Sequence, residues 1–220
     1  AKGSGRNRTA FFQVEMQAEV EERLAIEQDL KVALQQGQFE AHAQSQVDAS
    51  GRECGAELLL RWQHPVRGLV SPMAFIPVAE ANGLIVPLGQ WVLLQACISL
   101  ARLHAAGVHK TLSVNVSPRQ FRADDFVAQV RQTLADTGAP AHGLVFEVTE
   151  GLLIDHVDDT VARMAELVAM GIRFSIDDFG TGYSSMTYLQ RLPLYEIKID
   201  KGFVHDVPGG AGNAAIVRAI

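Results

Sequence analysis

The sequence predicts an α/β protein built on a parallel β-sheet. Short runs rich in β-branched and aromatic residues alternate with helical patterns, at a spacing of about 30 residues that is typical of βα units. Hydrophobic residues make up 48% of the chain and charged residues 20%, which is typical of a folded domain rather than a disordered chain. The alternation does not decide whether the sheet is open or closed into a barrel.

A helix over residues 10–36 is the first predicted element. Ile26, Leu30 and Leu34 recur on one helical face, and Gly37 follows as a typical helix-ending residue. Charged residues on the other faces are typical of a solvated surface. A linker helix is the simpler interpretation, and a dimerisation or signalling stalk is the alternative.

Six strands and four further helices are predicted after Gly37. The strands are residues 39–47, 56–62, 111–116, 144–149, 173–177 and 196–199, and the helices are residues 72–81, 88–106, 158–170 and one that begins at Asp124-Asp125. Ser71-Pro72 is a helix-starting pair, whereas Gly138 and Gly171 are placed to end the last two helices.

The net charge of −6 argues against DNA or RNA polymers as partners, because binding a long polyanion depends on basic residues that release its counterions. A small phosphorylated ligand stays compatible if metal ions supply the positive charge. Residues 84–103 are the most apolar stretch, but polar residues interrupt it before the roughly 18 apolar residues that a membrane span requires. We therefore expect a cytoplasmic domain, with a membrane anchor elsewhere in a longer protein left open.

Polar residues interrupt five of the six predicted strands or follow them directly. They are Glu57, Asn115, Glu147, the pair Asp177 and Asp178, and Lys198. Barrel and doubly wound enzymes place their sites at the carboxyl ends of such strands. Each residue taken singly has a structural explanation, such as a salt bridge, a turn or a helix cap. Burying so many charged groups separately would be costly, so the set together favours a shared site around a cation.

Four carboxylates and an amide oxygen form an oxygen-only ligand set, which favours Mg²⁺ or Mn²⁺ over zinc. Two such ions about 3.5–4 Å apart would hold both the attacking and the leaving oxygens of a phosphodiester. If Asp177 points into the site, Asp178 on the following turn can reach a second ion. Lys198 would place a positive charge near the nucleophilic water. Residues 179–185 predict a mobile turn over the site or, alternatively, a tight loop.

Several uncommon strings then occur in an order known from one family. They are Glu57-Leu58-Leu59, Arg61-Trp62, PMAFIPVAE at 72–80, GLIVPLG at 83–89, SVNVSPRQ at 113–120, FEVTE at 146–150, DDFGTGYSS at 177–185 and KID at 198–200. From about Leu30 onward the chain resembles the EAL domain family, which hydrolyses the bacterial second messenger cyclic di-GMP. It departs from the family at Leu58, where Ala is usual, and at Ala43 and Ser45, which replace Tyr and Pro.

The resemblance implies a TIM-like (β/α)₈ barrel variant with an antiparallel first strand and a site at its C-terminal mouth. The residues it places in that site are the metal ligands Glu57, Asn115, Glu147, Asp177 and Asp178, with Glu57, Lys198 and Asp178 taken as catalytic. The substrate-binding residues it implies are Gln44, Leu59 and Arg61. The implied cofactors are two Mg²⁺ or Mn²⁺ ions, and the implied reaction converts cyclic di-GMP to linear pGpG.

The resemblance also implies a control loop. Glu150 would anchor a loop that contains Phe179, Gly180, Thr181 and Gly182, and in this family that loop couples dimerisation to metal binding. A homodimer is therefore expected.

The first residues carry a second resemblance, to the closing segment of a GGDEF domain, through Gly5-Arg6-Asn7-Arg8 and Phe11-Phe12. The expected organisation is a GGDEF tail at 1–12, a linker helix at 13–37 and an EAL domain at 38–220. The parent would be a tandem GGDEF–EAL protein with upstream sensor domains. Because the chain stops within a helix predicted from Asn213, the last barrel strands are expected to be missing from it.

Three functions are compatible with these features. The first is a metal-dependent cyclic di-GMP phosphodiesterase. The second is a catalytically inactive cyclic di-GMP receptor, which the changes at Ala43 and Ser45 motivate. The third, without the resemblance, is a Mg²⁺-dependent barrel enzyme that abstracts a proton from a carbonyl acid through Lys198.

Overall fold

The structure is a computed structural model that describes residues 14–153, 157–180 and 189–204. In chain order the elements are α1 (Val14–Gln36), β1 (Phe39–Val47), β2 (Glu53–His64), β3 (Gly68–Val70), α2 (Pro72–Asn82), α3 (Ile85–Ala105), β4 (Thr111–Asn115), α4 (Pro118–Phe121), α5 (Phe126–Thr137), β5 (Leu144–Thr149), α6 (Val157–Ala169), β6 (Arg173–Phe179), β7 (Glu196–Ile199) and α7 (Lys201–Val204). Short 3-10 turns at Ala141–Gly143 and Glu150–Leu153 flank β5.

All the described strands belong to one sheet. Its order is β1-β2-β4-β5-β6-β7, with β3 paired to β2. β1 and β3 are both antiparallel to β2. Along the order β2-β4-β5-β6-β7 each strand is parallel to its neighbour. Parallel neighbours in sequence order, with helices in the described connections from β2 to β6, are the winding of a (β/α) barrel. The carboxyl ends of β2, β4, β5, β6 and β7 therefore meet at one edge.

The outer face of the sheet is apolar and forms the main core. Phe146 and Phe174 on adjacent strands have ring centroids 5.7 Å apart, and Phe121 and Phe126 extend this aromatic group. Residues of α3, α5 and α6 are buried against it. Because side chains alternate across a strand, covering this face with helices leaves the other face for polar residues.

A second core cluster joins α1 to the first hairpin. Leu30 and other residues from the second half of α1 are buried with Phe39, Trp62 and Phe75. Trp62 also donates a hydrogen bond from Nε1 to Gln38 Oε1 at 3.1 Å. The second half of the helix is thus packed on the barrel.

The predicted domain limits stay predictions, and residues 1–13 lie outside the described part of the chain.

The predicted strands and helices within the described residues are confirmed, with shifted ends. α3 begins at Ile85 rather than residue 88, because a proline at 87 is tolerated in the first helical turn. β6 continues to Phe179, so Asp178 lies on the strand and not on the turn after it. β3 and α4 are too short to produce a periodic pattern. The helix predicted from Asn213 falls outside the described residues.

Contrary to the expectation drawn from its interrupting polar residues, α3 is, among the described helices, long and apolar enough to cross a membrane by length and composition. Its residues Leu88, Leu93 and Leu100 are nevertheless buried by protein. The helix packs against β4 and α5. Its apolar composition is therefore accounted for by its place in the core.

We predict that α1 contributes to the stability of the barrel. Leu30→Ala, at a position with no exposed surface, should lower the free energy of unfolding by about 2–5 kcal/mol, because it leaves a cavity in the second core. Leu24→Ala on the same helix is the control. Leu24 is 54% exposed, so this substitution should change the free energy of unfolding by no more than about 0.5 kcal/mol. Equal effects in urea unfolding would mean that α1 is an independent linker.

Candidate active site

The side chain of Lys198 lies among three carboxylates from three other strands. Its Nζ is 2.8 Å from Glu147 Oε2, 3.1 Å from Glu57 Oε2 and 3.1 Å from Asp177 Oδ1. The four residues come from β7, β5, β2 and β6. Sequence positions as far apart as 57 and 198 are brought together because the carboxyl ends of these parallel strands share one edge.

This cluster is largely shielded from solvent and carries more negative than positive charge. The exposed fraction of the side chain is 0% for Glu147, 16% for Glu57, 21% for Asp177 and 26% for Lys198. With all groups ionised, three carboxylates face one ammonium, which leaves two negative charges uncompensated. Repulsion of this kind is strong where water is excluded.

The pKa values of the cluster reflect this imbalance. Burial raises the pKa of Glu147 to about 7, helped by the charges of Glu57 and Asp177 and opposed by the hydrogen bond from Lys198. Burial by itself lowers the pKa of Lys198, but the hydrogen bond and charge of Glu147, with the charges of Glu57 and Asp177, raise it above its ordinary value. Lys198 therefore stays protonated, and the raised pKa of Glu147 brings its neutral form within reach near neutral pH.

The donor set fits a divalent cation. One oxygen each from Glu57, Glu147 and Asp177 lies within 4.8 Å of the others, and oxygen ligands are those that Mg²⁺ and Mn²⁺ prefer. The two uncompensated negative charges match the charge of one such ion. The cluster is therefore a candidate metal site on chemical grounds.

Asn115 and Asp178 extend the cluster. Asn115, at the end of β4, donates from Nδ2 to Glu57 Oε1 at 2.8 Å. Asp178 has a φ of 51°, in the left-handed region that residues other than glycine rarely adopt. It lies where the pairing of β6 with β7 shifts register. Burial, followed by the charges of Asp177 and Asp200, raises its pKa.

A cavity of about 320 Å³ opens beside the cluster, between β2 and helices α2 and α3. Leu59, Arg61, Asn115 and Glu147 are among its lining residues. The guanidinium of Arg61 donates to the carbonyl oxygen of Leu60 at 2.9 Å. Gln44 lies opposite Glu57 in the β1–β2 pair, which places it on the same face of the sheet. The predicted substrate-binding residues are thus all near the mouth.

Glu150 connects the turn after β5 to the end of β6. It is buried, and its Oε1 accepts a hydrogen bond from the amide of Gly180 at 2.7 Å. Gly180 has a φ of 102°, and a Cβ there would lie 2.7 Å from the Phe203 ring, so glycine is required. Phe179 is buried in the main core. Thr181 and Gly182 lie outside the described residues.

Gln46 is a site contact that the sequence reasoning missed. Its Nε2 lies 3.5 Å from both Glu147 Oε1 and Ser113 Oγ. The available signal was its spacing of two from Gln44, since residues i and i+2 of a strand share a face. Contact with Glu147, however, depends on a register that one sequence does not reveal.

A family model described as EAL domain matches residues 27–220. The chain belongs to the EAL domain family. Members of this family are TIM-like (β/α)₈ barrel variants, and the predicted fold with its antiparallel first strand is confirmed.

Among curated relatives, the chain is 44% identical over 223 residues to the bifunctional diguanylate cyclase/cyclic di-GMP phosphodiesterase MucR of Pseudomonas aeruginosa, and covers 32% of that protein. It is 36% identical over 220 residues to the cyclic di-GMP phosphodiesterase PdeR of Escherichia coli, and covers 33% of it. Both alignments include 100% of this chain. The EAL chain thus spans about a third of the length of these relatives.

Solved structures give the same assignment. The PaMucR phosphodiesterase in complex with c-di-GMP aligns with a TM-score of 0.84 at 43% identity, covering 89% of this chain and 80% of that one. The EAL enzyme Bd1971, in its cAMP and cyclic-di-GMP bound form, aligns with a TM-score of 0.84 at 30% identity. That alignment covers 91% of this chain and 56% of Bd1971.

We predict that Lys198 is needed for the carboxylates to be held together without metal. Lys198→Met should lower the free energy of unfolding in metal-free buffer at pH 7.5 by about 3 kcal/mol, because it leaves buried charge without its partner. Lys201→Met makes the same substitution at an exposed position and is the control. It should change the free energy of unfolding by no more than about 0.5 kcal/mol. Equal urea midpoints for the two variants would contradict the electrostatic account.

Proposed function

We propose that this EAL domain is a divalent-cation-dependent phosphodiesterase that hydrolyses cyclic di-GMP to linear pGpG. The observation that carries the proposal is the shielded cluster of Glu57, Glu147 and Asp177 around Lys198. The relatives named as cyclic di-GMP phosphodiesterases, and the PaMucR structure with c-di-GMP bound, support the choice of substrate.

In this proposal the oxygen donors at the mouth hold two Mg²⁺ or Mn²⁺ ions. The donors are Glu57, Asn115, Glu147, Asp177 and Asp178. When bound, the ions would supply an activated water and neutralise charge on the phosphate. The unusual φ of Asp178 fits this role, because strained backbone persists where the surrounding structure holds a residue for function.

The chain's own cations act on the phosphodiester. Lys198 stays protonated, so its ammonium can donate to the attacking water and offset negative charge that develops on the phosphate oxygens. Arg61 presents a planar guanidinium, which suits a phosphate group better than a single ammonium does. Leu59 and Gln44 would contact the dinucleotide beside it. Asp178 would help to orient the water.

Loop control is a further part of the proposal. The Glu150–Gly180 hydrogen bond joins the turn after β5 to the strand that carries Asp177 and Asp178. Phe179 is the last residue of β6 rather than part of a loop. In this proposal the segment that follows it, with Gly180, Thr181 and Gly182, would transmit a change at a homodimer interface to the metal ligands. Homodimer formation can be measured by light scattering coupled to size-exclusion chromatography.

The wider protein is proposed to carry upstream GGDEF and sensor domains, in agreement with the partial coverage of its relatives. We place the domain in the cytoplasm, with any membrane anchor outside it. The net charge of −6 supports a small dinucleotide rather than DNA or RNA as the ligand.

The test is hydrolysis of cyclic di-GMP by the full-length protein with Mn²⁺, followed by chromatographic detection of pGpG. Glu57→Gln should lower kcat at least about 100-fold, because a catalytic metal contributes several kcal/mol to transition-state stabilisation. Glu53→Gln at the exposed start of the same strand is the control and should retain wild-type activity.

The same experiment separates the enzyme from the receptor alternative. Tight binding of cyclic di-GMP by the wild-type protein, with no pGpG formed at any Mn²⁺ concentration, would overturn the proposal in favour of a receptor. Activity that survives Glu57→Gln unchanged would show that the reaction takes place at another site.

A further inference from the structure

The side chain of Gln46 crosses the neighbouring strand to reach the centre of the site. In the β1–β2 pair, Gln46 lies opposite Gly55. A Cβ at position 55 would lie 3.2 Å from Gln46 Oε1 and 2.8 Å from the carbonyl oxygen of Thr111. Because Gly55 has no side chain, the Gln46 amide can extend across β2. A side chain at position 55 would occupy that space.

Beyond Gly55 the amide meets two acceptors. Gln46 Nε2 is 3.5 Å from Ser113 Oγ on β4 and 3.5 Å from Glu147 Oε1 on β5. A carboxamide carries two N–H groups, so one nitrogen can serve both acceptors. Gln46 therefore spans from the edge strand of the described sheet to its third neighbour.

Each carboxylate oxygen of Glu147 has a donor from one of the two edge strands of the described sheet. The Nζ of Lys198 on β7 donates to Oε2 at 2.8 Å, and the Nε2 of Gln46 on β1 donates to Oε1 at 3.5 Å. The Gln46 contact is the one hydrogen bond to Oε1 that the described residues provide. Since the side chain of Glu147 has no exposed surface, water cannot readily replace it, and a buried carboxylate oxygen without a donor is unfavourable.

We propose that Gln46 is a positioning residue for the divalent-cation site. It fixes the orientation of Glu147, so that the carboxylate is already turned toward Glu57 and Asp177 before an ion binds. Partners that orient metal ligands contribute strongly to metal affinity. The inference rests on the proposed function only in taking Glu147 as a ligand, and it does not require turnover.

The experiment is calorimetric titration of the full-length protein with Mn²⁺ alone, without nucleotide. Gln46→Met keeps the length of the side chain and removes the donor, so the dissociation constant for Mn²⁺ should rise about 10- to 100-fold. Ser45→Ala is the matched control, because the Ser45 side chain lies on the other face of β1 and its hydroxyl donates to the exposed Glu53. Metal sites elsewhere in the protein are present in all variants, so they contribute equally to each titration and do not affect the difference in Mn²⁺ binding between variants.

A second variant and a second readout keep the inference falsifiable. Gln46→Asn retains the amide on a chain one carbon shorter, and it should weaken Mn²⁺ binding as Gln46→Met does. At saturating Mn²⁺ the KM of both Gln46 variants for cyclic di-GMP should equal the wild-type value. Weaker Mn²⁺ binding in a protein that makes no pGpG would still support the positioning role while the proposed function fails.

Two results would overturn the inference. Wild-type Mn²⁺ affinity in Gln46→Met would show that Glu147 is oriented without this donor. A raised KM for cyclic di-GMP with unchanged Mn²⁺ affinity would show that Gln46 contacts the substrate instead of Glu147.

Discussion

The ammonium of Lys198, surrounded by three carboxylates, is the interaction on which the rest of the site depends. Glu57, Glu147 and Asp177 carry three negative charges in a space shielded from solvent, and one lysine cannot balance them. The excess can be relieved by protonating Glu147, whose pKa burial and its neighbours raise to about 7, or by binding a cation. A shielded cluster with this excess of negative charge is well suited to recruiting divalent metal ions.

This electrostatic arrangement also constrains the fold. The four residues come from β2, β5, β6 and β7, and they meet only if these strands run parallel and the sheet curves toward its inner face. Helices packed on aromatic residues of the outer face leave the inner face to polar side chains. The same curvature allows β1, through Gln46, and β7, through Lys198, to reach Glu147 from opposite edges.

Much of this could be predicted from the sequence, for reasons that differ between elements. The strands that carry Glu147 and Lys198 were predicted with their observed ends, because apolar runs between turn residues are strong local signals. The candidate metal ligands are predicted from charged residues in runs that are otherwise buried. The antiparallel pairing of β1 came from the family resemblance alone. The left-handed backbone of Asp178 and the reach of Gln46 over Gly55 depend on tertiary register, which residue spacing does not encode.

The most direct test is a crystal structure of the protein grown with Mn²⁺, with anomalous scattering used to locate the ion. We expect an anomalous peak between the carboxylate oxygens of Glu57, Glu147 and Asp177, where the uncompensated negative charge is greatest. No peak at this position in crystals saturated with Mn²⁺, with Lys198 still bonded to all three carboxylates, would contradict it.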